Sequence, residues 1–212
     1  KLQKELYEHV TDYVKLNFGR AKRNGRTALG LVMIMFQKLA SSSTAAILSA
    51  MRTRLYRLEN GLYEDDYMEY EQSDLIDDFE SETEECIDFD SYGGTPAMME
   101  EEEMQNLRNL IDEAERCQEY EEDAKATELK NLIRQFQIKE NDPNLKLIVF
   151  TEFRTTQRYL KKVLEEAGIT CSTIDGSMTL EARKQYLVDF KEHCRVMVAT
   201  DAAGESLNMQ FC

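Results

Sequence analysis

The residues best placed to do chemistry lie at the end of the chain. VMVATDAAGESLNMQFC, residues 196–212, reads as a short buried strand, a turn of small residues and a polar cluster. That pattern sets backbone N–H groups, a hydroxyl and carboxylates at the carboxyl end of a strand. In open α/β sheets this is the edge where ligands bind. The chain stops directly after the segment, so it reads as cut from something larger.

Metal and thiol chemistry are weaker readings. The cysteines Cys86, Cys117, Cys171, Cys194 and Cys212 form no CxxC pair, and neither His9 nor His193 sits at ligand spacing from them. The expectation is no metal site and a reduced, intracellular (cytoplasmic) chain. The longest apolar run, ALGLVMIMF at 28–36, is too short to span a bilayer, so no membrane is expected. The formal charge of −15 is unevenly spread: about +8 over residues 1–58, −24 over 59–123 and +1 over 124–212. A basic front and an acidic middle point to different partners, or to one another.

The elements that must position the closing segment follow from periodicity. Leu2, Leu6, Val10, Tyr13, Val14 and Phe18 recur at helical spacing. A break is expected over Gly19–Gly25, where Arg20, Lys22, Arg23 and Arg26 cluster, read as a solvated loop in preference to a nucleic-acid contact. Residues 27–39 are apolar nearly all round, a helix buried in a larger body. Ser41–Ser43 offer an N-cap for a further helix carrying Ile47, Leu48, Met51, Leu55 and Leu58. Together residues 1–58 form a helical region. Residues 59–103 are dominated by Asp and Glu and read as a disordered spacer, with mimicry of nucleic-acid charge as the lesser alternative. One long helix is expected over 104–141, ended by Asp142 and Pro143.

From 142 to 212 the rhythm is strand, helix, strand, helix, strand. LKLIVF (145–150), ITCSTI (169–174) and RVMVA (195–199) are strand-length apolar runs. Tyr159, Leu160, Val163, Leu164 and Ala167 mark one helix, stopped by Gly168. Leu180, Ala182, Tyr186, Leu187 and Phe190 mark another, capped by Thr179. Strands without alternation joined by helices indicate a parallel sheet covered on both faces, with Phe150 and Phe190 in the core.

Three ordered blocks, LIVFTEFRTT (147–156), DGSMTLEARKQYLVDF (175–190) and VATDAAGESLNMQFC (198–212), resemble the second RecA-like lobe of superfamily 2 helicases and translocases. The similarity is greatest to the Swi2/Snf2-like group, including its bacterial and archaeal members, so a prokaryotic parent is expected. The fold class is then α/β: a partial RecA-like parallel-sheet lobe preceded by a mainly helical connector. By this resemblance Thr151, Arg154, Gly176, Arg183 and Thr200 face nucleic acid, expected to be duplex DNA. Arg158 can add a further charged contact. Asp201, Gly204, Glu205 and Asn208 lie nearer a nucleotide held between this lobe and a first RecA-like lobe, implying ATP and Mg²⁺ in the complete protein. The residue types fit. A strand-end hydroxyl, backbone N–H groups and a helix N-terminus can hold a phosphate without reading sequence. Gly204 admits close backbone approach, and a carboxylate or amide can hydrogen-bond a ribose hydroxyl.

What the chain lacks is equally informative. It has no GxxxxGK[ST] loop to cradle phosphates and no strand-end Asp-Glu pair for Mg²⁺. The arginine-rich motif VI of the resembled family is expected beyond Cys212. The 212 residues alone are therefore expected not to hydrolyse ATP. Ser206 stands where the resembled group usually has Gly; at positive φ this costs about 1 kcal/mol or more. Two alternatives remain at this stage: a non-catalytic interaction or regulatory module that keeps the lobe fold, and an unrelated flavodoxin-like domain with a phosphate site near 150–156.

Overall fold

The computed structural model describes residues 1–24, 27–61 and 97–200. The chain divides into two compact units, Lys1–Glu122 and Asp123–Cys212.

The first unit is helical. Helix α1 (Leu2–Asn24) buries Leu6, Val10, Tyr13, Asn17 and Ala21, a stripe at spacings of three and four. It continues through Gly19 to Asn24, so no break falls at Gly19, and residues 25–26 lie outside the described residues. A single glycine weakens a helix without ending it when neighbouring stripe positions are buried. Helix α2 (Thr27–Ser42) buries Leu29, Val32, Met33, Phe36 and Leu39 but leaves Ile34 exposed, so it is not enclosed all round. Ser43 caps α3 (Thr44–Glu59), its hydroxyl accepting from the Ala46 N–H at 3.1 Å. Ile47, Leu48 and Met51 face the core. Helix α4 (Ala97–Tyr120) closes the unit with Leu107, Leu110, Ile111, Ala114 and Cys117.

Charge organises this unit. Helix α4 runs antiparallel to α1: Glu121 accepts from the Leu2 and Gln3 N–H groups, Glu113 bonds His9, and Glu102 pairs with Arg20 at 2.8 Å. Arg52 pairs with Glu115 at 2.7 Å. The basic front and acidic middle thus meet each other. Arg20 of the basic cluster is an ion-pair partner here; the side chains of Lys22, Arg23 and Arg26 lie outside the described residues. At the centre, Glu103 accepts from the Tyr13 hydroxyl at 2.8 Å and from Arg54 at 2.9 Å, with Tyr13 and Glu103 buried and Arg54 partly so.

Two sequence expectations change here. Helix α4 begins at Ala97, inside the stretch read as the acidic spacer, and positions 62–96 of that stretch lie outside the described residues. The single helix expected over 104–141 is two. It breaks at Glu121–Asp123, where the Asp123 carboxylate accepts from the Lys125 and Ala126 N–H groups and starts α5 (Ala124–Lys139). Helical periodicity on both sides of an N-cap looks continuous in sequence, although the cap residue starts a new helix.

The second unit is α/β. Strands β1 (Leu147–Thr151), β2 (Cys171–Ile174) and β3 (Val196–Thr200) form a parallel sheet in the order β1-β3-β2. Helix α6 (Arg154–Glu166) follows β1, and α7 (Leu180–Glu192) follows β2. Every residue of central β3 is buried. On one face Ala126, Ile133, Leu160, Val163 and Leu164 of α5 and α6 pack on Cys171, Val196 and Val198. On the other, Phe190 packs on Ile174, Cys194 and Met197. Gly168 at φ 73° ends α6, and Thr179 caps α7.

The second face is covered less fully than expected. Phe190 is core, but Phe150 is 55% exposed, because it lies on edge strand β1 while α7 packs against β2. Leu180 and Tyr186 of α7 are exposed as well. Among the described residues no helix is long and apolar enough to cross a membrane.

Candidate nucleic-acid interface at the sheet edge

The parallel register builds the site. Thr151 and Thr200 are the last residues of adjacent strands and are direct register partners. A sequence separation of 49 residues thus becomes one strand spacing, about 5 Å. Beside them Ile174 pairs with Ala199, which brings Asp175 to the same edge. Three strands therefore present Thr151, Thr200 and Asp175 together at their carboxyl ends.

Thr200 is 4% exposed, and its Oγ1 has no hydrogen-bond partner among the described residues. Thr155 Oγ1, in the first turn of α6, is likewise buried and unpartnered. The N-cap position of α6 is Phe153, whose ring is buried and which supplies no side-chain cap. An uncapped helix N-terminus with inward hydroxyls suits an anion acceptor. Buried polar groups usually find partners, so orphaned hydroxyls at a ligand edge are informative.

Arg154 opens α6 with its Nε 3.9 Å from Asp175 Oδ1. Asp175 is 6% exposed and also accepts from the Ser177 N–H at 3.0 Å and Ser177 Oγ at 2.6 Å. Arg154 thus carries its charge at the edge while steadied by a buried carboxylate. Gly176 and Arg183 are also brought together: Arg183 Nη2 donates to the Gly176 carbonyl at 2.7 Å. That bond makes Arg183 a support of the β2–α7 loop. Arg158, one turn further along α6, is exposed. Asp201, Gly204, Glu205, Ser206 and Asn208 lie outside the described residues.

Two residues at the edge escaped the sequence reading. Asp175, which opens the second quoted block, and Gln157 are not among the residues singled out from the sequence. The Gln157 side chain is buried, and its Nε2 donates to the carbonyls of Ile174 and Val198, each at 2.8 Å. Its signal was available: a polar residue on the otherwise apolar stripe of α6, beside Leu160 and Leu164. Burial pushes the Cys171 thiol up to about 12, and burial with the bond to Asp189 raises Cys194 to about 11, so both stay protonated near neutral pH. Among the described residues no three His, Cys, Asp or Glu side chains group as a metal site.

Comparison with known proteins agrees with this architecture. Residues 124–212 match the helicase conserved C-terminal domain. The uncharacterized ATP-dependent helicase YqhH of Bacillus subtilis (strain 168) is 34% identical over 104 residues, 49% of this chain and 17% of that protein. The chain therefore spans about a sixth of the length of the curated relative it matches. The Hef helicase domain of Pyrococcus furiosus shares the fold over 95% of this chain and 44% of that one, with a TM-score of 0.57 at 16% identity. The C-terminal part of the Fun30 ATPase domain aligns over 99% of this chain and 68% of that chain at 16% identity, with a TM-score of 0.45. The parallel sheet and the three ordered sequence blocks agree with the match of residues 124–212 to the helicase conserved C-terminal domain.

Proposed function

We propose that the carboxyl edge of this sheet holds the sugar-phosphate backbone of nucleic acid, with duplex DNA as the preferred form. The observation that carries the reading is the register pair Thr151–Thr200, with the Thr200 hydroxyl buried and unpartnered beside an α6 N-terminus that has no side-chain cap. Hydroxyls and helix N–H groups accept a phosphate of any sequence, and Arg154 adds a charge-assisted bond. Gly176 and Arg183 shape the neighbouring loop.

The larger reading is a Swi2/Snf2-like translocase in which this lobe works against a first RecA-like lobe. ATP and Mg²⁺ would lie between the lobes, with Asp201, Gly204, Glu205 and Asn208 on this lobe's side of the nucleotide. Bound there, ATP would supply the free energy of hydrolysis for lobe closure. This chain's own residues hold and orient backbone. The three ordered blocks support the subgroup; a regulatory module that keeps the lobe without catalysis is the competing reading.

Fluorescence anisotropy with a labelled duplex, a single strand and an RNA duplex tests the interface. Thr200→Ala should weaken duplex binding about tenfold, the scale of a lost hydrogen bond to a charged group. Arg154→Ala should weaken it and lower the salt slope by roughly 0.9, as one fewer phosphate is neutralised. Duplex binding that is indifferent to both substitutions would sink the reading.

A further inference from the structure

We infer that Gln157 is a positioning residue for the backbone-binding edge, a role that rests on the reading above. The residue sits one turn into α6, on the face toward the sheet, and is 2% exposed. Its two amide hydrogens go to two different strands: one to the Ile174 carbonyl of β2, the other to the Val198 carbonyl of β3, both at 2.8 Å. Ile174 immediately precedes Asp175, and Val198 lies two residues before Thr200. On its own helix, the Gln157 N–H bonds the Phe153 carbonyl at 2.9 Å, which ties it to the turn carrying Arg154 and Thr155. The side-chain amide thus joins β2 and β3, and the backbone N–H joins them to the first turn of α6.

The chemistry explains why an amide serves here. An aliphatic side chain at this position would satisfy the apolar stripe of α6, but helices packed by apolar contact alone can slide by fractions of an ångström. Two hydrogen bonds to two carbonyls fix both the height and the rotation of the α6 N-terminus over the strand ends. Anion binding by hydroxyls and N–H groups depends steeply on that alignment, since hydrogen bonds weaken quickly with distance and angle. Gln157 touches no ligand; it sets where Arg154, Thr155 and Thr200 stand relative to one another.

The test is a double-mutant cycle in the full chain. Gln157→Leu keeps the volume and removes both donors. At a temperature where circular dichroism shows every variant fully folded, Gln157→Leu should weaken duplex binding about tenfold, as Thr200→Ala does. The double variant should bind no worse than either single variant, because both act on one arrangement. Leu164→Ala, a cavity in the same helix away from the edge, is the control and should leave affinity unchanged while folded. Duplex binding by Gln157→Leu equal to wild type, with Thr200→Ala still impaired, overturns the positioning role and leaves the interface standing. Additive losses in the cycle, or an equal loss from Leu164→Ala, reduce Gln157 to a core residue. Wild-type binding that does not depend on Thr200 removes the interface and the inference together.

Discussion

Thr200 holds a hydroxyl in the protein interior with nothing among the described residues to bond it. Such a group costs roughly 1–3 kcal/mol relative to one that is bonded. Thr200→Val, which replaces the hydroxyl by a methyl of similar size, should therefore leave stability unchanged or raise it, by up to about 1 kcal/mol in urea titrations. A clear loss of stability would mean that the hydroxyl has a structural partner. Stability retained and duplex affinity lost, in one variant, is the signature of a group held for a ligand. His9 behaves differently. Its Nδ1 lies 2.9 Å from Glu113, and the hydrogen bond and charge of that carboxylate raise its pKa above 6.5. A raised folded pKa stabilises fully below the unfolded value and is lost as pH rises through the folded one. The difference in melting temperature between wild type and His9→Gln should therefore be largest in mildly acidic buffer and vanish on going alkaline. The ring is 58% exposed, so the effect is small.

At the scale of elements, Glu103 decides how α1, α3 and α4 stay together. It accepts from both Tyr13 and Arg54 in the interior of the first unit. Burial, with Glu103 next, drives the Tyr13 phenol well above its usual value, so it remains a donor throughout the ordinary pH range. Removing the carboxylate takes away the Arg54 guanidinium's interior ion-pair partner, and Glu103→Ala should cost about 3–5 kcal/mol. Tyr13→Phe removes one bond from an otherwise charge-balanced pair and should cost only about 1 kcal/mol, both read from denaturant midpoints. Similar losses for the two would mean that packing, not charge, holds the cluster. Helix existence was largely legible from periodicity: Leu6, Val10 and Tyr13 of α1 and Leu160, Val163 and Leu164 of α6, named from spacing, are buried, whereas Phe18 is exposed and Asn17 and Ala21 complete the α1 stripe. Helix ends were not. Gly19 looked like a break and is not, while the interruption before the Asp123 cap looked like continuity. Local propensity is weak against the burial of neighbouring turns, so termini follow the packing and the caps.

For the whole molecule, absent chemistry is as predictive as present chemistry. No phosphate-cradling glycine loop exists anywhere in the 212 residues. Purified chain should therefore show no ATP turnover above background, with or without duplex, in a coupled phosphate-release assay. Steady turnover by the chain alone would mean that an unrecognised site does the chemistry.

Read from one end to the other, the amino-acid order by itself determined the strand-helix-strand succession, the parallel sheet and the three blocks that resemble a helicase C-terminal domain. Hydrophobic period and turn chemistry are local quantities, and these features depend on little else. Only the tertiary structure decided which polar groups stand together. Strand order β1-β3-β2 sets Thr151 against Thr200, brings Asp175 to Arg154, directs Gln157 to two carbonyls and leaves Phe150 uncovered at the edge. Register and strand order arise from contacts between residues dozens of positions apart, and no local pattern records them.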